Sequence, residues 1–222
     1  MELNTAKTDL LITENINQKP MLRTRFTAQA YFVLTMVMDL LDNGVLAQDG
    51  GQLTIADETK FDALPAYLST FQKQFRATLN KTEPLAKQLQ FLTSWDIANE
   101  LYDGIGPELE QQKIVEKVTF QNNLEPHTIY VPTDGARTGA INDLKQTMQT
   151  NVPHVTMHIV AILEKQDALK WLITDAAERN QLLAQFHAIV DRDPYFEVVQ
   201  ELTATASEVF IQKKFWLDSW LS

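Results

Sequence analysis

The sequence predicts a mainly α fold: a single globular helical domain over residues 1–222, with a central buried helix and two small β-hairpins. Three observations predict it. The stretch TAQAYFVLTMVMDLLDNG, residues 27–44, is apolar on nearly every helical face, and a helix apolar all round sits in the middle of a core. Two pairs of short strand-favouring segments flank turn-forming residues. No alternation of strand and helix runs through the chain, so a parallel sheet has no source.

Taken in order, Asn43-Gly44 ends the central helix, because glycine accepts the left-handed backbone just past a helix without steric cost. VLAQ, DGG and QLTI then form the first hairpin, glycine supplying the positive φ of its turn. From Phe61, the residues Phe61, Leu64, Tyr67, Leu68, Phe71 and Phe75 recur at helical spacing, which reads as one amphipathic helix with Lys73, Gln74 and Arg76 on its polar face. The next helix is expected to open at Glu83-Pro84, proline being tolerated in a first turn, to bury Leu85, Leu89, Leu92, Trp95 and Leu101, and to stop at DGIGP. KIVEKVTFQ and HTIYVP, rich in β-branched and aromatic residues, flank NNLE as the second hairpin. From Gly139 onward the pattern is helical. NVPHVTMHIVAILEKQDALKWL reads as one helix and DAAERNQLLAQFHAIV as another. DPYFEVVQELTATASEVFIQKKFWLDSWL is a last long one, with Asp193 as its cap and Pro194 in first position. No repeat, low-complexity tract or domain-separating linker interrupts the chain.

Composition narrows the chemistry. Apolar residues make up 45% and charged residues 22%, an ordinary mixture for a chain that buries a core. Cysteine is absent, which removes disulfides, thiolate metal sites and cysteine nucleophiles and fits a reducing compartment. Glu2, Asp9 and Glu14 break up the first residues, which argues against a secretory signal. AYFVLTMVM is too short to span a bilayer of roughly 30 Å. A helix followed directly by a hairpin is also the beginning of a winged-helix DNA reader. Yet the net charge is −10, and Asp39, Asp42, Asp49, Asp57 and Glu58 populate that segment where a DNA reader needs Lys and Arg. No nucleic-acid partner is expected.

Catalytic and metal chemistry find little support. His154 and His158 share a helical face, the arrangement a metal would need, but they lack the glutamate of a zinc-protease motif and a third ligand; a surface or partly buried pair is the competing reading. His127 and His187 are isolated in sequence. Glu197 with Glu201, and Glu108 with Glu110, are neighbours of a kind that 29 acidic residues produce by chance. DGIGP and DGARTG lack the strand-to-helix context of phosphate-binding loops, and no nucleophile elbow occurs. No enzyme, cofactor or metal is expected. Two features remain open. In FIQKKFWLDSWLS, Phe210, Lys213, Lys214, Phe215, Trp216, Trp220 and Leu221 mix aromatic and basic character as a membrane-interface segment does; the alternative docks Phe210, Leu217, Leu221 and one indole into the core. Arg23 and Arg25 stand just ahead of the central helix, either as an anion site or as a solvated pair.

In their order and spacing, LLITE, MDLLDNGVLAQDGGQLTI, ANELYDG, the second hairpin and LLAQFHAIVDRDPYFEVVQELTATASEVF resemble the Golgi phosphoprotein 3 family, from Thr8 to about Phe210. The resemblance implies one mostly helical domain. It implies a protein of the kind whose eukaryotic members bind phosphatidylinositol 4-phosphate at the cytosolic membrane face and act as adaptors retaining glycosylation enzymes. Residues 113–132 resemble the hairpin through which members self-associate, which implies a homo-oligomer. The family's headgroup pocket uses a loop tryptophan, an arginine on the buried helix and two arginines three apart on a later helix. Those arginine positions match Val33, Gln90 and Thr93 here, and no tryptophan lies between Ile12 and Arg25. Neutral side chains cannot supply forked, charge-assisted contacts, so Arg23 and Arg25 are the cations available to compensate. The expected ligand site is Arg23, Arg25, Gln90 and Thr93, facing an anionic lipid headgroup. The expected function is a non-enzymatic cytoplasmic binding or adaptor protein with peripheral membrane association. The alternative is a soluble oligomeric interaction module without lipid binding.

Overall fold

The computed structural model describes residues 2–79, 83–121 and 126–220, with residues 17 and 217–220 contributing backbone only. Its first helix, α1 (Asn4–Thr13), is absent from the sequence expectation, and it is capped from a distance. Both Asp39 carboxylate oxygens accept its free backbone N–H groups, Thr5 N at 2.9 Å and Ala6 N at 3.0 Å, so donors that a helix start leaves unpaired are satisfied inside the core. A short α2 (Met21–Thr24) leads into the central helix α3 (Phe26–Asp42), which is buried without interruption from Gln29 to Leu40. Gly44, at φ 61°, closes it: Val45 N reaches Leu40 O at 2.9 Å and Gly44 N reaches Leu41 O at 3.0 Å. That is the double closure a left-handed residue permits.

Strands β1 (Leu46–Asp49) and β2 (Gln52–Ile55) pair antiparallel around Gly50 and Gly51, both at positive φ. The helix expected from Phe61 to Phe75 is two helices, α4 (Glu58–Asp62) and α5 (Ser69–Leu79), because Pro65 intervenes and a 3-10 turn at Ala66–Leu68 redirects the chain. Phe61, Phe71, Phe75 and Phe91 still converge, with ring centroids 5.3 to 6.1 Å apart. After α6 (Leu85–Gln88) and a 3-10 turn (Leu89–Thr93), α7 (Trp95–Gln111) starts on a Ser94 cap and runs straight through DGIGP. Its two glycines are contact surfaces. A Cβ on Gly104 would lie 2.3 Å from the Tyr67 ring, and one on Gly106 would lie 2.1 Å from the Tyr130 ring.

The second hairpin, β3 (Val115–Gln121) and β4 (Pro126–Pro132), forms as expected, although its NNLE turn falls outside the described residues. Helix α8 (Asp134–Thr147) follows on a Thr133 cap. The helix expected over residues 151–172 divides into α9 (His154–Lys165) and α10 (Leu169–Leu172), since Asp167 takes a left-handed φ of 52° and Ala168 N turns back to Leu163 O. Asp175 caps α11 (Ala176–Val190), and Asp193 accepts Tyr195 N at 2.9 Å as α12 (Pro194–Trp220) begins. One contiguous hydrophobic core runs from Leu3 to Phe210. The protein is thus mainly α, with its central helix α3 wrapped by α1, α7, α9 and α12 and two small hairpins at its margins.

Candidate functional site

The four expected ligand residues divide among three places. Arg23 is tied into the fold: its guanidinium donates to Thr128 O at 3.2 Å and Asn99 Oδ1 at 2.9 Å, pairs with Asp103, and lies 4.7 Å from the centre of the Tyr102 ring. Thus α2, α7 and β4 are joined through one side chain, each of whose three nitrogens donates to a protein acceptor. Arg25 sits at the start of α3 with an exposed side chain that makes no hydrogen bond or ion pair among the described residues. Val33, where the family's first arginine would fall, is fully buried. Gln90 and Thr93 do come together, on the 3-10 turn before α7.

They form one wall of a hollow of about 390 Å³ whose other wall is α12, through Val209, Gln212, Lys213 and Trp216. Lys213 Nζ lies 5.5 Å from the centre of the Trp216 ring. The hollow therefore combines an ammonium, an indole, two amides and a hydroxyl, a set able to stack on a flat polar ring and pair with one negative charge. A second crevice beside it is lined by Phe26, Thr93 and Trp95, so Thr93 connects the hollow to the beginning of α3. Trp95, expected in the core, is 49% exposed there.

Beyond Phe210 the character of α12 changes. Phe210 docks edge-on against Tyr31, with centroids 4.8 Å apart. The residues that follow, 211–216, are all exposed, with Ile211 at 66%, Phe215 at 77% and Trp216 at 54%. Leu217 and Leu221, which the core-docking alternative would bury, lie outside the described side chains, as does Trp220. No described helix is long and apolar enough to cross a membrane.

The histidines are engaged elsewhere. Fully buried His158 bridges Thr5 Oγ1 and Tyr195 Oη, each at 2.8 Å, and burial pushes its pKa down to about 4, so the ring is neutral. His154 instead pairs with Asp42 and stacks on Tyr195 at 3.9 Å. The two rings thus share a helical face and meet at Tyr195, one bonding its hydroxyl and the other stacking on its ring, and no group of three metal-ligating side chains gathers among the described residues. His187, isolated in sequence, is held between Glu164 and Asp191, which raise its pKa against partial desolvation.

Three buried carboxyls escaped the sequence reading. Desolvation pushes Asp9 and Glu14 up to about 7 and Asp39 to about 6, the last against two backbone N–H bonds that pull it down. Glu14 accepts Leu22 N at 2.7 Å and its carbonyl takes Arg137, which fastens the loop after α1. Asp9 lines a cavity of about 360 Å³ between α1, α3, α9 and α10. Nothing in the linear pattern flags these residues, because their partners and walls come from distant segments. No protein-family model matches the chain, and no curated protein matches it.

Proposed function

We propose that the protein is a non-enzymatic cytoplasmic binding or adaptor protein that attaches peripherally to anionic membranes, and that it belongs with the Golgi phosphoprotein 3 family. The observation that carries this reading is the exposed aromatic and basic end of α12. There Ile211, Phe215 and Trp216 stand clear of the core beside Lys213 and Lys214. Aromatic rings at that position sit at headgroup depth, while lysine ends reach lipid phosphates. The hollow of Gln90, Thr93, Lys213 and Trp216 adjoins this end and suits a single headgroup. Trp95, in the crevice that Thr93 shares with the hollow, extends the same margin. Arg23 takes no part, since its guanidinium is held by Thr128, Asn99 and Asp103 within the fold. With a net charge of −10, the field of the whole chain opposes approach to an anionic surface, so the apolar anchors and the local lysine pair must supply the binding.

Flotation with phosphatidylcholine vesicles, with and without phosphatidylserine or phosphatidylinositol 4-phosphate, tests the reading at low and moderate salt. The wild-type protein is expected to float with anionic vesicles. Phe215→Ala with Trp216→Ala should abolish flotation, and Lys213→Glu with Lys214→Glu should weaken it on the order of tenfold or more. A folded protein that floats with none of these vesicles overturns the proposal. That outcome favours the second reading, an oligomeric interaction module. Its support is β3, which among the described residues pairs only with β4 and is exposed from Glu116 to Thr119, leaving an edge open to another chain. Light scattering after gel filtration distinguishes a dimer that Val118→Lys dissociates from a monomer.

A further inference from the structure

We propose that the cavity between α1, α3, α9 and α10 binds a small organic amine, its ammonium held by the Asp9 carboxylate and its apolar body lying against the walls below Trp171. The cavity's volume, about 360 Å³, falls within the range of sites for small organic ligands. Its lining is mostly apolar, including Ile16, Leu22, Leu163 and Leu172, with Tyr31 as an aromatic wall and Trp171 exposed at the mouth. Aromatic surface of this kind favours cations over anions.

Asp9 is the unusual member. It is 3% exposed, the Thr13 hydroxyl donates to its backbone carbonyl at 2.7 Å, and among the described residues no Lys, Arg or His pairs with its carboxyl. A buried carboxyl with no cation is costly when ionised, and natural cores keep such groups paired. An ammonium arriving from solvent would provide the missing partner at the one charged position deep in the cavity. Lys19, which lines the cavity without forming an ion pair with Asp9, is the one competing cation among the described residues of its lining. Lys19 from the segment before α2 and Tyr31 from α3 are the other titratable groups facing the space; α9 and α10 add none to its lining. The site lies apart from the Gln90–Trp216 hollow, so its fate is independent of the membrane reading.

Titration calorimetry of the full chain with propylamine, 2-phenylethylamine and tryptamine provides the test, with 2-phenylethanol and 3-phenylpropionate as neutral and anionic counterparts. At least one amine is expected to bind saturably, and its two counterparts at least tenfold more weakly. Because Asp9 holds its proton up to about 7, amine affinity should fall about tenfold per pH unit below that value. Asp9→Asn should lose at least tenfold in affinity while keeping the wild-type circular dichroism spectrum. Lys19→Ala should bind at least as tightly as wild type. The proposal is overturned if no amine binds either wild type or Lys19→Ala, if 3-phenylpropionate binds more tightly than 2-phenylethylamine, or if Asp9→Asn binds amine as wild type does.

Discussion

Single side chains do most of the joining in this molecule. Asp39 lies on the central helix yet serves as the cap of another one, so Asp39→Ala leaves two buried N–H groups at the start of α1 without partners. The substitution should cost about 2 kcal/mol, read from the urea midpoint. Arg23→Ala removes bonds to Thr128 and Asn99 and should also destabilise, by about 1–2 kcal/mol. Vesicle flotation of the folded protein should nevertheless be unchanged, which separates a structural arginine from a lipid ligand. Asp9→Asn acts in the opposite direction. The folded carboxyl keeps its proton to about 7 whereas its ordinary value is 3.8, so its contribution is fully present below about 4 and lost as pH rises through 7. The asparagine variant should therefore melt at a higher temperature than wild type at pH 7.5 and show no such advantage at pH 4. The role of Arg23 was hidden in the sequence because its acceptors, Asn99 and Asp103, lie 76 and 80 residues away. Proximity to Arg25 suggested an anion pair, and three-dimensional contact gave it other work.

Helix ends show where linear signals are reliable. Asn43-Gly44, the Gly50-Gly51 turn, and the Asp193-Pro194 start all lie where the sequence places them, because each feature depends on backbone geometry within a few residues. DGIGP misleads for the converse reason. Glycine signals a helix stop, but in α7 it makes room for tyrosine rings from residues 67 and 130, which no local pattern reveals. Helix α1 was missed because its buried face includes Thr5 and Asp9, polar residues that disguise a short amphipathic stretch. The candidate hollow was half legible: Gln90 and Thr93 face it, whereas Lys213 and Trp216 come from a helix more than a hundred residues later. Gly106→Ala tests the contact role. The new methyl must displace the Tyr130 ring, so a loss of about 2 kcal/mol or more and faster hydrogen exchange in β4 are expected. Adding Tyr130→Ala should make the double variant less destabilised than the sum of the two single ones.

For the molecule as a whole, buried ionisable groups should set an unusual pH response. Asp9, Glu14 and Asp39 each have a raised pKa, so each adds stability on the acid side and loses it between about pH 4 and 7. His158, lowered to about 4, contributes in the opposite sense, stabilising above its ordinary value of 6.5 and losing that contribution as pH falls. Three carboxyls outweigh one imidazole, and the net charge of −10 also shrinks as acid is added. The melting temperature should thus be higher at pH 5 than at pH 7.5, a trend that differential scanning calorimetry can check.

The distant capping of α1 carries a consequence for biosynthesis. Helix α1 needs Asp39 for its end and His158, on α9, for the Thr5 hydroxyl. It must therefore wait through more than a hundred and fifty residues of translation before its seat is complete. Nascent chains arrested before α9 emerges should leave this segment open to protease, and its protection should appear abruptly once α9 has cleared the exit tunnel.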